Sequence, residues 1–272
     1  MNGRSGESAS SAADVPQVSI SVVSHSQADL VHLLLRDLSL HSKTAIEVLL
    51  TVNVPESLPF DPTRFKFPVR ITDNIKVRGF GANHNAAFQR CKSKYFCVMN
   101  PDIRLEGDPF PALFACLEDS LAGIAAPMIL NPEGAIEDSA RRFPTPWTIV
   151  KKALRSSPGI EYAVSGSEPL YPDWVAGMFM LIPSALYAEI GGFDERYFLY
   201  YEDVDLCARL ASRDRRVVLC PGAIAVHNAR RQSRSSLRFL RLHFSSMLRF
   251  FLTHRAAHLQ RLKRTHTGSR SA

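Results

Sequence analysis

The sequence predicts an α/β fold: a mostly parallel central sheet with helices on both faces, followed by a C-terminal amphipathic helix. Three observations carry this. Short β-branched runs alternate with runs of helical period through the first 130 or so residues, the pattern of strands joined by helical crossovers. Polar residues follow directly on the strand-like runs, at Ser24, His25, Asn53, Asp73, Asn74, Asn100 and Asp102, where open parallel sheets bind ligands. The segment SRSSLRFLRLHFSSMLRFFLTHRAAH repeats apolar residues at a period near 3.6.

The elements follow in order. VSISVVS (18–24) is short and β-branched and reads as a buried strand. ADLVHLLLRDL has helical spacing. IEVLLTVN is a second strand stopped by Pro55, and PVRITDN a third. GANHNAAFQRC reads as a helix opened by Gly79 and Gly81, and YFCVMN as a fourth strand ended by Pro101. FPALFACLEDSL is helical and AGIAAPMIL strand-like. From about residue 131 the character changes. NPEGAIEDSARRFPTPW is turn-rich and carries Arg141 and Arg142, and KKALRSSPGIEYAVSGSEP reads as a mobile loop with a basic start. DWVAGMFMLIP is a strand, SALYAEIGGFDERYF a helix with a Gly-Gly stop and a turn, and RRVVLCPGAIAVH supplies late strands ending at His227. In the last helix Leu237, Leu240, Phe244, Met247, Leu248 and Phe251 share one face, with Arg234, Arg238, Arg241 and Arg249 on a neighbouring one.

Composition bounds the function. The chain has 272 residues, 46% of them hydrophobic, enough for one large or two small cores. A net charge of +7 implies an anionic partner: phosphate, nucleic acid or an anionic membrane. Five cysteines without a CxxC pair argue against a disulfide framework or zinc site and for a reducing compartment. Residues 1–16 are small and polar and read as a disordered leader. No run of about 18 apolar residues predicts a membrane span.

Two acidic sites stand out. MNPDI places Asp102 after a buried strand, where a carboxylate can hold magnesium or manganese; His227 is a candidate second ligand. YEDVDL sets Glu202, Asp203 and Asp205 beside Tyr197, Phe198, Tyr200 and Tyr201. Acidic residues at a helix start also complement its dipole. The aromatic surroundings add something: partial desolvation raises a carboxylate's pKa and suits it to general-base work. Asp205 is expected to support the helix start or to hold Arg209 four residues on.

The stretches GFGANHNAAFQRCKSKYFCVMNPDIRL, WVAGMFMLIPSALYAEIGGFDERYFLYYEDVDLCARL and AVH resemble the GT-A-fold glycosyltransferases of family 2, and most of all their bacterial rhamnosyltransferase-like branch. The resemblance implies a Rossmann-like GT-A domain over residues 17–230, with a nucleotide-sugar half (17–130) and an acceptor half (131–230), and a basic amphipathic helix and tail over 231–272. It implies Asp203 as catalytic base with Glu202 orienting the site, and Asp102 and His227 as contacts for a divalent metal, Mg2+ or Mn2+. It also implies a donor site with Ser24, His25, Asn53, Asp73, Asn85, Asn100 and Asp102, and an acceptor pocket with Trp174, Gly177 and Asp194. The reaction implied is inverting transfer of a sugar, rhamnose from dTDP-rhamnose by branch, to a glycan or polyprenyl-diphosphate-linked acceptor in cell-surface polysaccharide synthesis. The expected location is cytoplasmic, peripheral on an anionic inner membrane face, with no nucleic-acid partner. The chain departs from the family where LTVNVPES stands in place of a VDN motif, leaving Asn53 for base recognition, and where SHS replaces TYN. Two other readings compete: a sugar nucleotidyltransferase, opposed by the absence of glycine in SVVSHSQADL, and a non-catalytic anion- or membrane-binding module built on HNARRQSRSSLRFLR.

Overall fold

A computed structural model of the chain describes residues 15–149, 161–162, 164, 166–228 and 237–267, with side chains in the last helix from 239 to 254. The leader up to residue 14, most of the loop read from 151 to 169, and the arginines at 234 and 238 therefore lie outside the described residues or side chains. Strands β1 (Val18–Ser24), β2 (Ile46–Val52), β3 (Val69–Asp73) and β4 (Tyr95–Met99) are mutually parallel. Next come β5 (Ile103–Arg104), β6 (Ala122–Leu130), β7 (Ala140–Arg141), β8 (Trp174–Val175), β9 (Phe179–Pro183) and β10 (Arg216–His227). Eight of these form one sheet in the order β3-β2-β1-β4-β9-β6-β10-β5, while β7 and β8 form a separate ribbon. Strands from before and after residue 131 share the main sheet.

Every residue of β2 and β4 is buried, as expected for strands covered on both faces. At the edge, β3 has no buried residue. Helices α1 (Ala28–His41) and α3 (Phe110–Cys116) cover one face, packing Leu34, Leu35 and Phe110 on it. Helices α2 (Phe80–Phe88), α4 (Ser184–Glu189) and α5 (Glu202–Ala211) cover the other, around Phe96, Tyr187 and Tyr197. The chain ends in α6 (Leu237–Thr267), whose Phe250 joins this second core.

Three expectations change. DWVAGMFMLIP is two strands: Trp174 and Val175 pair with β7 in the separate ribbon, Gly177 N–H turns aside to Asp203, and the β4–β9 ladder begins at the Asn100 N–H to Met178 C=O bond. RRVVLCPGAIAVH is one strand, bent where its register slips between Cys220 and Ile224. The sequence argued against a disulfide framework, and one cysteine pair is nonetheless found. Helix α3 packs on β10 and brings Cys116 and Cys220 together as a disulfide pair with Cα atoms 6.5 Å apart, inside the usual range. A separation of 104 residues hides such a pair from local pattern, so the cysteine count is a weak guide to compartment here. Cys91, Cys97 and Cys207 are free thiols.

Candidate functional site: an acidic crevice at the carboxyl ends of the strands

The turn before α5 is bent into a form that few side chains accept. Tyr200 and Tyr201 have φ of 68° and 67°, a left-handed region that costs bulky residues about 1–3 kcal/mol each. Packing on both sides holds it there. Phe80 N–H donates to Phe198 C=O at 2.9 Å. This approach requires glycine at 79, where a Cβ would lie 2.6 Å from the same oxygen. From the other side, Ser246 of α6 donates to Leu199 C=O at 2.9 Å, and the Phe250 ring lies 5.6 Å from that of Tyr201. The bend turns Glu202 and Asp203 inward.

Asp203 accepts from Gly177 N–H at 3.0 Å and from Val204 N–H at 2.8 Å. It thereby satisfies one of the open amides at its own helix start. Burial nevertheless raises its pKa, against the hydrogen bonds and the charge of Arg141, which lower it. Glu202 is buried and its Oε2 has no partner among the described residues. Burial first, and then the neighbouring Asp203 charge, push its pKa well above the carboxylate range. Glu202 is thus withdrawn from solvent and Asp203 half-buried. Asp205, the third acid, binds Arg209 at 2.7 Å and His254 of α6 at 2.8 Å and is structural.

A stability prediction follows from Glu202. Its pKa is raised in the folded state, so between the unfolded and folded values the native chain holds the extra proton. The sign is that stability falls as pH rises through this window. Glu202→Gln removes the dependence. The variant should gain Tm over wild type at pH 8 relative to the difference at pH 5; on the order of 1 kcal/mol corresponds to roughly 2–4 °C for a chain of this size. Thermal melts at the two pH values check it, and an equal difference at both would count against a protonated, buried Glu202.

The second acidic pole is assembled by pairing across the sheet. β5 runs antiparallel to the end of β10, with His227 opposite Ile103, and Asn228 N–H donates to Asp102 C=O at 2.9 Å. Asp102 Oδ2 lies 3.3 Å from His227 Nε2, and Glu137 Oε2 lies 2.7 Å from His227 Nδ1. Burial alone would lower the imidazole pKa, but the hydrogen bonds and charges of Asp102 and Glu137 outweigh it and push it up to about 9. Asp102 Oδ1 is buried without a partner among the described residues. An orphaned carboxylate oxygen suits a hard divalent cation, and His227 would join as a ligand once the cation displaces its proton. Among the described residues no three His, Cys, Asp or Glu side chains converge as a metal group. Asp102 and His227 would thus give two ligands, leaving positions for water and phosphate oxygens. The two poles are joined through two adjacent residues: Asp203 holds Gly177 N–H, and Asn100 N–H holds Met178 C=O at 2.8 Å.

The other predicted residues divide. Asn53 is pinned at the end of β2, accepting from Arg78 N–H and Asn74, donating to Arg78 C=O, and lying 3.2 Å from His25 Nδ1. Three strand ends therefore meet there, and Asp73 is exposed on their rim. Ser24 is committed to Glu56 at 2.5 Å, and the same carboxylate accepts from Ser26 N–H and Ala28 N–H. Asn85 does not present its amide to the donor crevice. It accepts from Tyr187 and Phe193 N–H and donates to Phe193 C=O and Glu195, clamping the turn after Gly192. Asp194 forms a close ion pair with Arg196. Trp174 donates to Arg142 C=O at 2.9 Å and carries the Arg141 guanidinium 5.3 Å from its ring. Two site residues had no assigned role from sequence, Glu137 and Arg141. The signal was there in part: GAIEDSARR follows the end of β6, where ligands gather.

Comparison with known proteins bears on the family and the fold. The sequence model described as "Glycosyltransferase like family 2" matches residues 16–250. Rhamnosyltransferase WbbL of Escherichia coli K12 is 30% identical over 188 residues, covering 64% of this chain and 70% of that protein. N-acetylglucosaminyl-diphospho-decaprenol L-rhamnosyltransferase of Mycobacterium tuberculosis is 31% identical over 149 residues, covering 48% of this chain and 46% of the relative. The chain thus matches less than half the length of the mycobacterial protein. Among solved structures, GalNAc-T7 with UDP, GalNAc and Mn2+ superposes with a TM-score of 0.64 at 14% identity, covering 88% of this chain and 48% of the other. A mannosyltransferase of Pyrobaculum calidifontis with GDP-Man and Mn2+ gives 0.59 at 16% identity, covering 87% and 65%. At such identities these two establish the GT-A fold alone. With the family match spanning most of its length, this chain belongs to glycosyltransferase family 2.

Proposed function

We propose that the protein transfers one sugar, with inversion, from a nucleoside-diphosphate sugar to a hydroxyl of a glycan or lipid-linked acceptor in cell-surface polysaccharide synthesis. The observation that carries this is the pairing of a half-buried, raised-pKa Asp203 with the Asp102–His227 pole across the Gly177–Met178 segment. In the reaction the acceptor oxygen attacks the anomeric carbon while Asp203 takes its proton. The bond from that carbon to the diphosphate breaks, and the nucleoside diphosphate leaves with the bonding pair. A single displacement inverts the centre. Asp102 and His227 would hold a magnesium or manganese ion, which when bound would supply positive charge against the departing diphosphate. The preorganised main chain of the Gly177 turn keeps Asp203 oriented, and Trp174 and Arg141 form the wall beside it.

The names of the relatives support rhamnose as the sugar and a diphosphate-linked lipid as the acceptor. dTDP-rhamnose is accordingly the first donor to test. The Mn2+ in the two solved neighbours supports the cation. Among the described residues no helix is long and apolar enough to cross a membrane; we place the enzyme peripherally on the cytoplasmic face. The nucleotidyltransferase reading loses support from Glu56. Its carboxylate fills the start of α1, the position that binds phosphate in nucleotide-binding sheets of that kind.

A panel of nucleotide sugars tested for Mn2+- or Mg2+-dependent binding and slow hydrolysis checks the proposal. One nucleotide-diphosphate sugar, dTDP-rhamnose first, should bind and be hydrolysed only with metal. Release of pyrophosphate from a nucleoside triphosphate and sugar phosphate would overturn the reading in favour of nucleotidyl transfer.

A further inference from the structure

The last helix has two faces, and only one is used by the fold. Ser246, Phe250 and His254 point inward, to Leu199, Tyr201 and Asp205. Met247 and Phe251 pack partly against the same core. This splits the single apolar face expected from sequence. Leu240, Phe244, Leu248 and Leu252 are left 60%, 62%, 49% and 68% exposed. They are spaced by four, so they form one continuous stripe along the helix. Large apolar side chains exposed in series, rather than singly, mark a contact surface.

We propose that this stripe is a membrane-docking surface and that its occupant is an anionic lipid bilayer. Charge selects that occupant. The stretch from residue 229 to the end carries 11 of the chain's 33 lysines and arginines and none of its 26 aspartates and glutamates. The rest of the chain is on balance acidic, so the whole positive surplus resides in this segment. Arg241 is exposed on the helix beside the stripe. A second copy docked stripe to stripe would bring the two cationic segments together. An anionic bilayer takes up both features, the apolar side chains below the headgroups and the cations among them. The geometry also serves the chemistry. The inner side of the helix buttresses Tyr201, directly before Glu202, so only one helix diameter, about 10–12 Å, separates the stripe from the turn that carries the base. An acceptor whose diphosphate sits at headgroup level is then within reach. The inference rests on the proposed lipid-linked acceptor for its purpose, but its test needs no sugar transfer.

The test is flotation of the full chain with phosphatidylcholine vesicles, with or without phosphatidylglycerol, at low and high salt. Wild type should float with the anionic vesicles at low salt and be released at high salt. The double variant Phe244→Gln/Leu248→Gln should lose at least ~10-fold in partitioning. Its Tm and its metal-dependent nucleotide binding should match wild type, because neither side chain packs on the domain. Met247→Ala, on the inner side, should lower Tm and leave flotation intact. Failure of wild type to float on anionic vesicles would overturn the proposal, as would equal flotation of the double variant or equal binding to neutral vesicles. A wild-type dimer that the double variant dissociates, with no flotation by either, would assign the stripe to self-association instead. Loss of flotation with transfer intact on a soluble acceptor, or the reverse, separates this inference from the proposed reaction.

Discussion

Asp203→Asn is expected to lower kcat by at least ~100-fold, the lower range of a general base's contribution, while donor affinity stays unchanged. The amide keeps the volume of the carboxyl but cannot take the acceptor's proton. The structure adds a cost that the chemistry alone does not include. Both carboxylate oxygens accept main-chain N–H groups, from Gly177 and Val204. An asparagine has one acceptor oxygen, so one of these amides must face an NH2 group. A buried donor left unpaired costs about 1–3 kcal/mol, so a modest fall in Tm should accompany the loss of turnover. Steady-state kinetics, nucleotide-sugar titration and a melt separate the effects. Turnover close to wild type would remove Asp203 as the base. The wild-type pH profile gives an independent reading. The base must be ionised to act, and burial raises its pKa, so the acid limb of kcat/KM should lie above that of an ordinary aspartate. Glu202 and Asp203 are adjacent, so this limb belongs to the pair. In Glu202→Gln the limb should stay near its wild-type position, because Glu202, with the higher pKa, is already neutral where Asp203 ionises.

Asp102→Ala is expected to abolish metal-dependent nucleotide binding and to reduce transfer by at least ~100-fold, given the several kcal/mol that a cation contributes to a departing diphosphate. The variant removes a carboxylate whose Oδ1 is buried and has no partner among the described residues. It should not unfold the domain, because the bonds fixing the turn are main-chain ones, Asn228 N–H to Asp102 C=O and Asn100 N–H to Met178 C=O. Arg104, two residues on, separately anchors β5 to Asp37 of α1 through bonds of 2.6 and 2.8 Å. Isothermal titration with the nucleotide, with and without Mn2+, measures the effect alongside the melt. Full wild-type activity in excess chelator would refute the metal assignment at Asp102 and His227 together.

The strands and helices that surround the crevice were legible because their causes are local. Continuous apolar runs in β2 and β4 reflect burial on both faces, and the helical period of α1 reflects one buried face. The acidic motif at Glu202 and Asp203 was legible for the same reason, since its aromatic neighbours are neighbours in sequence. The Asp205–Arg209 pair follows from helical spacing and is present at 2.7 Å. Other features depend on groups far apart in the chain, and only the tertiary structure decided them. His227 meets Asp102 and Glu137 because β5 folds back along the end of β10. Asn85 serves a turn 108 residues away because α2 packs against it. Cys116 reaches Cys220 across the α3–β10 contact. The C-terminal helix shows the division most clearly. Period alone places Met247 and Phe251 on one face with Leu240, Phe244 and Leu248, since a helix carries no mark of where its neighbour lies. The axis along which α6 docks on the Tyr200–Tyr201 turn splits that face in two, and burial follows the docking axis, not the periodicity.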